Sequence, residues 1–135
     1  MKRTRWMVTA VATATALVGT AGGAAADEPL LPHPGPDGLV WVPEMTGDGG
    51  FVSGGGTSRL PTVLTVACEG GGSVAVSMEQ FDVEVAAFTV ACPVGSVGTG
   101  SQEMPAGVLD FGSFSVGIDA SSDAVRWSAA VVQPE

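Results

Sequence analysis

Apolar and polar residues alternate with a period of two through the middle of the chain. That is the spacing of strands, because successive side chains on a strand point to opposite faces. Leu64, Val66 and Cys68 share one parity, as do Val74, Val76 and Met78, with Ser73, Ala75, Ser77 and Glu79 on the other. Glu69-Gly70-Gly71-Gly72 joins the two runs over a hairpin-length connection whose glycines can take positive φ, so residues 62–68 and 73–79 are expected to pair antiparallel. From Phe81 the inward set reads Phe81, Val83 and Val85, with Asp82 and Glu84 outward; past Ala86-Ala87 it becomes Phe88, Val90 and Cys92. The change of parity predicts a bulge or bend at Ala86-Ala87 between two short strands.

Further strands are expected at Leu39-Val40-Trp41-Val42, at Phe51-Val52 inside a glycine-rich loop, and at Phe114, Val116 and Ile118, preceded by a short one at Leu109 and Phe111. A last strand carries Val125, Trp127, Ala129 and Val131 on one parity. Residues 95–105 read as loop, and no stretch after residue 26 keeps a helical period. About seven short strands between glycine-rich turns predict an all-β fold, a small antiparallel β-sandwich of the immunoglobulin-like kind. A barrel is the second arrangement.

The ends divide the chain. Lys2, Arg3 and Arg5 open a basic start, residues 6–21 supply an apolar centre, and Ala24 and Ala26 occupy the small-residue positions of a cleavage site. Residues 1–26 are therefore read as a secretory signal peptide and the chain as secreted, with no membrane attachment after cleavage. Residues 27–38 hold four prolines and are expected to form an extended arm, and residues 39–135 the sandwich domain.

Charge narrows the partners. All 14 acidic residues follow residue 26, against Arg59 and Arg126 alone, a formal charge of −12 for the segment. Phosphate backbones and anionic lipid surfaces are bound by Lys and Arg that displace counterions, so nucleic acid and membrane surfaces are not expected as partners. A small molecule, a glycan or a protein remains, with the chain expected as a monomer.

Cys68 and Cys92 fall on the inward parity of their strands in a chain addressed to an oxidising compartment, which predicts a disulfide between them. No C-x-x-C exists and His33 is the only histidine, between prolines, so neither a redox pair nor a metal site is expected and no cofactor is implied. No G-x-S-x-G or phosphate-binding glycine motif is present. Glu79, Asp82 and Glu84 could supply paired carboxylates, but Asp82 and Glu84 alternate with Phe81, Val83 and Val85 as an ordinary wet strand face does. Asp119 and Asp123 bracket a Ser-rich turn whose spacing matches no calcium loop. Trp41, beside the glycine-rich loop, is the candidate ligand-binding residue, a stacking surface for sugar if exposed; Trp127 is expected in the core.

The Thr65-Val66-Ala67-Cys68 strand, Cys92-Pro93 and the closing run from Gly117 to Glu135, GIDASSDAVRWSAAVVQPE, resemble small exported β-rich proteins of unknown function from high-GC Gram-positive bacteria. In size and acidity the chain is also similar to the apoproteins of secreted enediyne chromoproteins, immunoglobulin-like sandwiches that bind a small apolar ligand. It lacks their second disulfide, and no ligand residue carries over. The expectation is a non-enzymatic binding or extracellular structural module, with a carboxylate-dependent hydrolase and an extracellular protease inhibitor as alternatives.

Overall fold

The computed structural model describes residues 29–135, so the expected signal peptide and the start of the expected arm lie outside the described residues. Eight strands and no helix are found there: β1 (Gly38–Thr46), β2 (Gly49–Ser53), β3 (Thr62–Glu69), β4 (Ser73–Gln80), β5 (Val83–Ala91), β6 (Gly98–Met104), β7 (Phe114–Ala120) and β8 (Arg126–Val132). They form two four-stranded sheets, ordered β1-β8-β3-β6 and β2-β7-β4-β5. β1 pairs with β8, β2 with β7, β3 with β6 and β4 with β5, all antiparallel. These are the rungs of one long hairpin wound into two sheets, the jelly-roll form of the antiparallel sandwich. The expected all-β sandwich is present, with this strand order in place of an immunoglobulin-like one.

Both inner faces feed one core. Leu64, Val66 and Cys68 of β3 meet Val74, Val76 and Met78 of β4, Phe114, Val116 and Ile118 of β7, and Trp127, Ala129 and Val131 of β8. Trp127 is fully buried, and its indole N–H donates to the Gly47 carbonyl at 2.8 Å, so the largest core side chain leaves no polar atom unpaired.

The expected β3–β4 hairpin does not form. β3 lies between β8 and β6 in one sheet, and β4 lies between β7 and β5 in the other. The two strands share inward parity because both face the core, a pattern that a hairpin and a crossover between sheets produce alike. Gly70, Gly71 and Gly72 take φ of 112°, 94° and 80°. A side-chain carbon on Gly70 would stand 2.5 Å from the Ala124 carbonyl oxygen, so the crossover runs where only glycine fits.

Phe81 and Val83 are not inward. Gln80 pairs with Val83, which makes Phe81-Asp82 a two-residue turn with φ of 54° and 63°. The parity change is real, but it sits at Val85: Glu79 pairs with Glu84 and Met78 with Ala86, leaving Val85 as the extra residue of a single strand. Ala86, Val90 and Cys92 then face the core, with Phe88 packed against it.

β6 occupies part of the stretch expected as loop. Two of its inner positions are glycines, ahead of Gln102 and buried Met104: a side-chain carbon on Gly100 would lie 2.8 Å from Val90, because Val90 and Phe88 of the facing sheet fill that space. Leu109 and Phe111 form no strand. Buried Gln80 instead donates its side-chain amide to the Asp110 carbonyl at 2.9 Å and accepts the Asp110 N–H at 2.8 Å, giving residues 105–113 the pairing a ladder would have given. Gln133 does the same for residues 54–61, accepting the Thr57 N–H and donating to the Thr57 carbonyl and the Thr62 hydroxyl.

The disulfide joins Cys68 at the end of β3 to Cys92 just past β5, with Cα atoms 5.1 Å apart. It therefore ties one sheet to the other at the crossover. In the chain-entropy account a loop of 24 residues closed in this way is worth roughly 3 kcal/mol.

Candidate functional site

Cross-strand partners share a face, so the register of the second sheet reveals what its outer surface carries. One row across it reads Gly50, Gly117, Ser77, Ala87; the next reads Asp119, Ala75, Thr89; a third reads Val52, Ser115, Glu79, Glu84. The middle rows consist of small residues, and the sheet is hollowed there into an open groove of about 630 Å³. Ala75, Ser77, Ala87, Thr89 and Gly117 line its floor, and Glu84 and Asp119 bring carboxylates to it. No basic residue lines the groove, and its one aromatic, Phe88, is half-buried and packed on the core.

Such a surface can do two things. Glycine and alanine at the floor let an extended chain approach the sheet closely, and the carboxylates attract positive charge. Glu84 and Asp119 lie on strands separated by β4 and four positions apart in register. With strand spacing near 4.8 Å and a rise near 3.4 Å per residue, their backbones stand roughly 17 Å apart, too far to flank a single bond.

The other sequence candidates are distributed elsewhere. Cys68 and Cys92 meet in the disulfide, a structural position. Trp41 lies opposite Ala130 on the outer face of the first sheet, away from the groove. It is half-buried, its N–H donates to the Leu31 carbonyl at 3.2 Å, and its ring meets His33 edge-on with centroids 5.0 Å apart. The proline arm thus lies against the tryptophan, and the two frame a smaller hollow of about 240 Å³ with Pro34, Gly38, Leu39 and Val40.

Glu79 and Glu84 face each other across β4 and β5, both exposed, and Asp82 stands in the turn beyond them. Asp123 lies beside Gly47, while Asp48 accepts the Ala120 N–H at 2.8 Å and closes the end of β7. Among the described residues no three His, Cys, Asp or Glu side chains come together as a metal site. Arg126 reaches Glu44 at 2.9 Å and also pairs with Glu69, joining β1, β8 and β3 on the first sheet.

The residues that sequence reasoning missed are the small ones. Ala75, Ser77, Ala87 and Thr89 read as plain outward positions of β4 and β5, and only their pairing with β7 brings Gly117 and Asp119 alongside.

No protein-family model matches the chain, and no curated protein does. Among solved structures it is similar to the cryo-EM structure of the giant freshwater prawn Macrobrachium rosenbergii extra small virus particle. Identity is 13%, over 94% of this chain and 97% of that one, with a TM-score of 0.24. At that score nothing passes from that protein to this one.

Proposed function

We propose that this chain is an exported, non-enzymatic binding module that seats an extended, positively charged polypeptide along the outer groove of the β2-β7-β4-β5 sheet. The observation that carries the reading is the groove itself: a floor of small side chains with Glu84 and Asp119 and no basic residue. The disulfide supports the extracellular setting, since such bonds persist in oxidising compartments. The excess of acidic over basic residues after residue 26 favours the same class of ligand.

Calorimetric titration with a peptide of alternating lysine and serine tests the seat. Binding is expected, with at least a tenfold loss in Ala87→Leu, which fills the floor without changing charge, and a similar loss in Glu84→Gln with Asp119→Asn. Unchanged binding in Ala87→Leu would remove the groove as the site.

One observation favours a second reading, a carboxylate-dependent hydrolase: Glu79 stands directly opposite Glu84. The two residues line different hollows, however, and neither is enclosed with a substrate-sized cavity between them. Turnover of a glycan that disappears in Glu79→Gln would restore that alternative.

A further inference from the structure

At the end of the sandwich where β4 turns into β5, four large apolar side chains face solvent. Val52, Phe81, Val83 and Phe111 are 70%, 68%, 59% and 70% exposed. Val52 and Phe81 line one hollow of about 340 Å³, Val83 follows the Phe81-Asp82 turn, and Phe111 stands in the chain between Asp110, which Gln80 holds, and Gly112. The Phe81 ring also lies on the backbone of Gly112, where any side-chain carbon would come within 3.1 Å of it. Single exposed apolar residues are ordinary on protein surfaces, whereas a cluster of them marks a place where something docks.

The backbone supports the same conclusion. A two-residue hairpin turn with both central residues at positive φ is the natural place for Asn-Gly, yet this chain has Phe81 at 54° and Asp82 at 63°. Bulky residues in that region are outliers, and such strain collects at binding and switching sites. The arrangement is also rigid. Gln80 holds the backbone of Asp110 through both amide atoms, so the turn and residues 105–113 are fastened into one platform.

Around the apolar cluster stand Glu79, Asp82 and Asp110, all exposed. Of the two basic residues in 29–135, Arg126 is engaged at the opposite end by Glu44 and Glu69, and among the described residues no salt bridge reaches these three carboxylates. We propose that this tip is a second docking surface, separate from the groove, for a protein that presents apolar side chains within a basic surround. A second copy of the chain would bring the same acidic rim, and an anionic membrane would be repelled by it.

The test uses the full chain and a peptide of alternating lysine and leucine, with a glutamate–leucine peptide, phosphatidylglycerol vesicles and self-association by sedimentation as comparisons. Phe81→Asn with Asp82→Gly puts preferred residues into the same turn, so loss of binding in that variant cannot be ascribed to unfolding. The lysine–leucine peptide is expected to bind, and to bind at least tenfold more weakly in this variant, in Phe111→Ser and at high salt. Because the groove also takes a positively charged chain, these comparisons are made in the Ala87→Leu background, where the groove is filled and binding at the tip is expected to persist. The proposal is overturned if the turn variant and Phe111→Ser bind as the parent does, or if the glutamate–leucine peptide binds equally well. It is likewise overturned if only vesicles or a second copy engage the tip.

Discussion

At both ends of the sandwich the chain has to turn through positive φ, and it does so with opposite chemistry. At the β3–β4 crossover the three residues are Gly70, Gly71 and Gly72, and the same end carries the disulfide, the Arg126 ion pairs and the Ser121 hydroxyl that accepts the Ser73 N–H. At the β4–β5 turn the residues are Phe81 and Asp82, and the surroundings are exposed apolar side chains. One backbone requirement is thus met without strain where the two sheets are held together and with strain where side chains face outward. The difference separates the part of the molecule that maintains the fold from the part free to do something else.

Breaking the holding end should have the largest effect. Replacing Cys68 and Cys92 with alanine is expected to lower unfolding stability by about 3 kcal/mol in urea titrations. Stability equal to the parent would mean that the staple does not constrain the unfolded chain. Gly70→Ala comes next, with an expected loss of about 2 kcal/mol, since it adds both a left-handed side chain and a contact with the Ala124 carbonyl. A loss below a few tenths in the same titration would show that the crossover has room to move.

How much of this was legible in the sequence varied with the kind of signal. The disulfide was legible, because Cys68 and Cys92 both carry the inward parity of strands that meet across the core. The sandwich was legible from the same alternation. The β3–β4 crossover was not, since alternation records which way a side chain points relative to the core and not which sheet its strand joins. β6 was hidden because Gly98, Gly100 and Gln102 take three of its inner positions, so Met104 alone is left to give this edge strand an apolar signature. The β4–β5 turn was hidden because neither glycine nor asparagine marks it, and Phe81 shares the parity of Val83 and Val85, so the alternation of β5 reads as starting two residues before the strand does. The groove could not be read locally at all: Gly117 reaches Ser77 only through the pairing of β7 with β4, strands distant in the chain.

The comparison of the two ends rests most directly on the stability of the chain carrying Phe81→Asn with Asp82→Gly, measured by equilibrium unfolding against the parent. Relieving two non-glycine residues of positive φ is expected to raise stability by about 1 kcal/mol, the smallest of these effects and the only gain. A fall in stability would contradict the account, because it would mean that Phe81 holds the fold together and that the exposed tip belongs to the same structural apparatus as the opposite end.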